Sequence, residues 1–383
     1  MILNEKPEYC CGCSACKSIC PKQAISMQPD ALGFLYPKID SSKCVNCGLC
    51  EKVCAFNDHY DISLNLSTPQ AYGIRHKNLQ EIEKSRSGAA FVALSDFVLE
   101  NGGAVYGAGY SDCFRVIHKR AETKEARDEF RGSKYVQSDM EDVFAQVKND
   151  LQSGRQVVFS GTGCQVAGLN SYIGPKLRKN LYLVDIVCHG VPSPYIWRDY
   201  LKYLEEKEKD KIISVNFRDK KKFGWAAHKE SFQFENKCVT ADSYTYLFYR
   251  HIMFRQSCGI CYFANLNRPG DVTIADFWGW KKIDSNFNTD DKGSSLILCN
   301  TEKGLEWFAS CKKDLHWIPV KLEDCKQRNL HMPSKISKDR MKFERDYKRK
   351  GFNYVLFRYG NVGPIYKIRK IGSVVKRILK KIF

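Results

Sequence analysis

The chain has no run of the roughly eighteen uninterrupted apolar residues that a membrane-spanning helix requires, which excludes a helical bilayer crossing. Its opening, MILNEKPEYC, holds no apolar signal-peptide core. Acidic residues are scarce beside basic ones, 43 against 61, leaving a formal net charge of +18. No helix-turn-helix, zinc-finger or RNP pattern accompanies that charge, so nucleic acid is not an expected partner. Composition does not point to disorder either. With 383 residues, 43% hydrophobic and 13% aromatic, the chain can bury a sizeable core in two or three domains.

Cysteine is what the chain has in abundance. Eighteen would suggest disulfides in a small secreted protein, but eight of them sit in two tight clusters without a leader, which points to a reducing compartment and a cytoplasmic home. Residues 10 to 21 read CCGCSACKSICP, placing Cys10, Cys13, Cys16 and Cys20 at CxxCxxCxxxCP spacing. Residues 44 to 54 repeat the pattern with Cys44, Cys47, Cys50 and Cys54, although Ala55 stands where Pro21 has its counterpart. Three cysteines at i, i+3 and i+6 wrap one iron–sulfur cube, and the fourth reaches the other cube. The spacing therefore assigns Cys10, Cys13, Cys16 and Cys54 to one [4Fe-4S] cluster, and Cys44, Cys47, Cys50 and Cys20 to a second. A pair of zinc sites is the weaker reading, because zinc closes a four-ligand tetrahedron and has no use for two three-plus-one repeats. Cys11 is surplus to the motif. Two such clusters are net negative and would offset part of the positive charge.

The fold class expected is α+β: a bacterial-type 2[4Fe-4S] ferredoxin domain over residues 1–60, then a mixed α/β domain over 70–335, divided at about 150, and a basic extension over 336–383. Between the cysteine motifs, ISMQPDALGFLYPKID reads as two short strands about a turn at Asp30 to Gly33. The polar stretch NDHYDISLNLSTPQ, about 57 to 70, reads as a linker. Beyond it, VFAQVKNDLQSG and CQVAGLNSYIG have helical character and RQVVFSG and NLYLVDIVCHG read as buried strands, which together predict an α/β unit with parallel sheet. Past Ser214 the pattern turns toward antiparallel β. The tail sets Ile365, Ile368, Ile371, Val375, Ile378, Leu379 and Ile382 near one helical face and seven Lys or Arg on the other. Two readings of it stand: a basic C-terminal helix in contact with a membrane surface, peripheral at the inner face, or a terminal helix docked on the body.

Three glycine-rich turns, SRSGAA, FRGSKYVQS and FSGTGCQVAG, offer backbone N–H groups suited to the phosphates of a dinucleotide, although none is GxGxxG. They supply candidate cofactor-binding residues: Ser87, Gly88, Gly132, Ser133, Lys134, Tyr135, Gln137, Gly161 and Thr162, to which Asp276 of DFWG is added. Arg131 is a further candidate phosphate contact, Trp278 a candidate pocket wall, and His189 either a donor near the site or a packing histidine.

SKYVQS at 133–138, GTGCQVAG at 161–168, DIVCHGVPSP at 185–194, FRDK at 217–220 and DVTIADFWG at 271–279 resemble the coenzyme F420 hydrogenase/dehydrogenase beta subunit family, over roughly residues 10 to 330. The sequence departs from that pattern at Ala89, Gly163 and Ala275. The resemblance implies FAD, and a third [4Fe-4S] cluster beside it for which Cys164, Cys188, Cys258 and Cys261 are the candidate ligands; a CxxC zinc site or ordinary buried cysteines are the alternatives. It implies an oxidoreductase that passes electrons between the clusters and FAD, coupled to hydride exchange with a small-molecule substrate. That substrate is either F420-like or, from the gene neighbours of bacterial relatives, a glycan-pathway metabolite. A redox partner protein is implied too. The rival reading is a flavin-free electron-transfer adaptor. Cys113, Cys238, Cys299, Cys311 and Cys325 read as structural.

Overall fold

The computed structural model describes residues 6–325, 327–364 and 366. The tail from Ile368 to Ile382, with Ile365, lies outside the described residues, and with it the amphipathic face read from the sequence.

The N-terminal module is built on a two-stranded antiparallel hairpin, β1 (Ile25–Pro29) and β2 (Leu35–Ile39), in register Ile25 to Ile39. Its turn is set by Asp30, whose Oδ1 accepts from the Leu32 and Phe34 amides, both at 2.9 Å. A short helix follows each three-cysteine loop, Ala15–Ile19 and Leu49–Lys52.

The body is organised by an eight-stranded mixed sheet. Its strands are β3 (Asn65–His76), β4 (Ala104–Tyr110), β5 (Val116–Ala121), β6 (Val157–Thr162), β7 (Leu181–Ile186), and then, past a smaller sheet, β11 (Val272–Asp276), β12 (Ser295–Thr301) and β13 (Leu315–Val320). The order is β13-β3-β12-β11-β7-β6-β4-β5. At its centre β4, β6, β7 and β11 run parallel, and the flanking strands run antiparallel. The near-continuous apolar runs of β6 and β7 follow from that position, covered on both faces. Helices Val143–Gln152 and Gly163–Ile173 cover one face; Ala90–Glu100 and Glu302–Cys311 cover the other. Helix Gly163–Ile173 starts in a capping box, with the Thr162 amide donating to Gln165 Oε1 at 3.0 Å.

A second sheet, β8 (Ile212–Asn216), β9 (Glu230–Phe234) and β10 (Cys238–Ala241), is antiparallel in the order β10-β9-β8. It shares an aromatic core with helices Pro194–Glu208, Ser243–Tyr249 and Arg340–Tyr359. Two sequence expectations shift here. The stretch past Ser214 is antiparallel β interrupted by helix, and β3 begins at Asn65, inside the presumed linker. Residues 65–70 pair with β12 as far as Thr301 while none of their side chains is buried, so their composition reads as loop. Helix Arg340–Tyr359 buries Phe343, Val355 and Leu356, each contributing roughly 1.5–3 kcal/mol by removal from water. That part of the extension is core.

Candidate metal centre and cofactor cavity

Among the described residues three groups of thiols form, two in the module and one in the body. Cys10 and Cys13 are buried on the first loop, and burial pushes the neighbouring Cys16 thiol up, reinforced by Cys13, Cys10 and Cys54 around it. Cys54, from the second motif, is thus brought to the first. Cys20, Cys44, Cys47 and Cys50 line a small cavity nearer the surface, where the Cys20 sulfur accepts from the Ala24 amide at 3.3 Å. The same four-by-four division follows from the spacing.

The third group belongs to the body. Cys164, Cys188, Cys258 and Cys261 line one cavity together with Cys11. Cys164 is a first-turn residue of helix Gly163–Ile173, Cys188 follows β7, Cys258 lies within a 3₁₀ turn at Gln256–Ile260 and Cys261 directly follows it. Backbone N–H groups point at the sulfurs, Gly190 to Cys188 and Val191 to Cys258, both at 3.4 Å. Burial pushes Cys188 up to about 12 and Cys261 to about 11, whereas Cys11 and the Thr162 hydroxyl hold Cys164 down at about 7. Among the described residues no three His, Cys, Asp or Glu converge tightly enough for a single metal ion.

Cys11 was surplus in the motif, yet it is the thiol between groups: it is 5% exposed and lies within hydrogen-bonding reach of both Cys13 and Cys164. The approach is close because position 168 is glycine; a Cβ there would stand 2.7 Å from Cys13 Sγ. The doublet Cys10-Cys11 is the only sequence trace of this role.

Beside the third group opens a cavity of about 390 Å³ at the carboxyl ends of β6, β7 and β11, where ligands bind in open α/β sheets. Thr162, His189 and Asn329 line both cavities, so the two share a wall. Of the candidate cofactor-binding residues, Ser87, Gly132, Ser133, Lys134, Tyr135, Gly161, Thr162 and Asp276 line it. Gly88 and Gln137 do not. Gly88 is packed against strand backbone, where a Cβ would meet the Ile74 carbonyl at 2.3 Å. Gln137 is turned to the module, donating to the Cys11 carbonyl at 2.8 Å.

The cavity is cationic. Burial lowers Lys134 to about 7 and Arg86 to about 10. Arg218 binds Asp276 at 2.7 Å, and Arg131 is held by Glu81 and Asp128, each at 2.6 Å. Trp278 stacks on Trp225 with centroids 4.6 Å apart. The uncapped N-terminus of helix Ala90–Glu100 also faces the cavity, with Ala89 at φ 66° just before it, a left-handed conformation costing roughly 1–2 kcal/mol in a residue with a Cβ. His118, which gives no sequence signal, lines the cavity with Nε2 at 3.0 Å from the Ser160 carbonyl and Nδ1 unpartnered. His189 places Nδ1 3.1 Å from Asn329 Oδ1 and Nε2 2.8 Å from His251 Nε2, so one of the two Nε2 atoms carries the shared hydrogen.

Residues 9–57 match a 4Fe-4S dicluster domain model, which implies two [4Fe-4S] clusters, and residues 154–321 match the model of the C terminus of the coenzyme F420 hydrogenase/dehydrogenase beta subunit. No curated protein matches the chain. Among solved structures, a chain of the xenon-derivatised F420-reducing [NiFe] hydrogenase complex from Methanosarcina barkeri is 16% identical, covering 76% of this chain and 90% of that one with a TM-score of 0.47. Residues 154–321 are thus similar to the C-terminal part of the coenzyme F420 hydrogenase/dehydrogenase beta subunit, behind an N-terminal stretch similar to a 4Fe-4S dicluster domain.

Proposed function

We propose that the protein is an iron–sulfur flavoprotein oxidoreductase in which the dicluster module feeds electrons through a third [4Fe-4S] cluster to FAD, which exchanges hydride with a small-molecule substrate. The observation that carries this reading is the wall of Thr162, His189 and Asn329 shared by the thiol-lined cavity and the cationic one. A cofactor in each would be a near neighbour of the other.

The residues fit these groups. Cys164, Cys188, Cys258 and Cys261 offer four thiols, with backbone N–H groups already directed at two of the sulfurs. Lys134, Arg86 and the N-terminus of helix Ala90–Glu100 suit the pyrophosphate, and the unpartnered His118 Nδ1 supplies a further polar contact. A bound flavin supplies one-electron and two-electron chemistry at a single ring system. The protein's own share is to keep the thiols dry, to neutralise phosphate charge, and to leave Trp278 and Tyr249, 47% and 56% exposed, at the open side where substrate arrives. Among the described residues no helix is long and apolar enough to cross a membrane. The exposed Cys47 and the apolar Val45 beside it give a protein donor access to the distal cluster.

Anaerobic purification with iron, sulfide and flavin quantified per chain tests the reading. About twelve irons and one FAD are expected. About eight irons with no flavin uptake would leave only the electron-transfer adaptor.

A further inference from the structure

Among the described residues four arginines are almost wholly buried: Arg127, Arg255, Arg268 and Arg340. Three have carboxylate partners, Arg127 with Asp96 at 2.6 Å, Arg268 with Asp185 at 2.6 Å, and Arg340 with Glu344. Arg255 is 0% exposed and, among the described residues, has none. The groups that bear on it electrostatically are Cys10, Tyr36, Cys11 and Cys258. A guanidinium cannot escape burial by losing its proton, so an interior position without counter-charge is strongly unfavourable.

Its contacts span the joint. Nε donates to the Cys10 carbonyl at 2.7 Å, Nη2 to the Leu35 carbonyl at 2.9 Å and to Cys10 Sγ at 3.5 Å, and Nη1 to Gln137 Oε1 at 3.0 Å. The guanidinium lies over the Tyr36 ring, 4.1 Å from its centroid. Its own amide is anchored on the Val191 carbonyl at 3.0 Å, and its side chain lines the cavity of Cys164, Cys188, Cys258 and Cys261. Gly12 makes room for it, since a Cβ there would stand 2.7 Å from Nη1.

Building on the iron–sulfur reading above, we propose that Arg255 is a positioning residue whose counter-charge is the pair of clusters on either side of it. One is the cluster of Cys10, Cys13, Cys16 and Cys54, the other that of Cys164, Cys188, Cys258 and Cys261. Each cluster with its four thiolates is net negative, and more so when reduced. A fixed cation between them stabilises the reduced forms, raises both reduction potentials together, and ties the module to the body only when the clusters are in place. The distal cluster of Cys20, Cys44, Cys47 and Cys50 lies outside its contacts.

Potentiometric titration followed by EPR, on protein of verified iron content, tests this. Arg255→Gln is expected to lower the midpoint potentials of two clusters and leave the third unmoved; Arg255→Lys, which keeps the charge but not the fork, recovers most of the shift. Full iron content with all three potentials unchanged in Arg255→Gln overturns the proposal, whereas an unmodified protein with about eight irons overturns the reading beneath it. Should Arg255→Gln fail to fold, hydrogen exchange on the unmodified chain decides. Removal of the clusters is expected to raise exchange around residues 10–13 and 254–258 more than in the β8–β10 sheet; equal protection there with and without clusters overturns the proposal.

Discussion

Arg255 and Glu230 are both wholly buried and both without an ion-pair partner among the described residues, yet physical chemistry treats them differently. Glu230, on β9 in the aromatic core, accepts from the Thr245 amide at 2.7 Å and from its hydroxyl, leaves Oε2 unpartnered, and is pushed by burial up to about 8. It sheds its charge by holding a proton. Arg255 has no such exit, so the joint needs negative charge from outside the polypeptide and the satellite core does not. Lys134 stands between the two cases: a desolvated cation, lowered to about 7, that stays charged when an anion sits beside it.

The largest effect expected from breaking this contrast comes from the thiols. Cys258→Ser should reduce iron from about twelve to about eight per chain while the dicluster signals persist, measured by iron assay and EPR. Substituting Cys44 should instead remove the distal cluster and leave the joint intact.

Next in size is Glu230→Gln. Between about pH 4.3 and 8 the unfolded chain has lost the Glu230 proton and the folded chain still holds it, so stability falls as pH rises through that window and levels off above it. At about 1.4 kcal/mol per pKa unit, the loss amounts to a few kcal/mol. Glu230→Gln should flatten the decline, seen in urea unfolding at pH 5, 6.5 and 8, and an unchanged slope would contradict the buried neutral carboxyl.

Gly168→Leu should force helix Gly163–Ile173 off Cys13 and destabilise the joint by about 1–3 kcal/mol, with faster proteolysis between module and body. The smallest effect is at Lys134. FAD affinity should weaken as pH rises above about 7, where the empty site loses its charge, and Lys134→Gln should bind about tenfold more weakly, equivalent to roughly 1.4 kcal/mol, with that pH dependence gone. Fluorescence titration across pH 6 to 9 reads both.

Much of the molecule was legible along the chain. Cysteine spacing divides eight thiols into two groups, because the span between ligands is fixed by local loop geometry. Alternation and small-residue punctuation locate β6, the helix after it and β7. Where reading failed, the reason was non-local. The start of β3 hid in polar composition because an outward-facing strand end needs no apolar residues, and Gln137 looked like part of a phosphate turn until its amide was found on the Cys11 carbonyl.

The sequence by itself determined the donor inventory: two four-cysteine repeats, a CxxC, and glycine turns at βα junctions. Only the tertiary structure decided that Cys11 stands between two thiol groups, that Thr162, His189 and Asn329 are one wall with two faces, and that Arg255 is, among the described residues, a buried arginine left without a carboxylate. Local spacing encodes what a few consecutive residues can hold. Which charges face one another in the interior depends on segments as far apart as Cys10 and Arg255, 245 positions along the chain, and that is settled by packing alone.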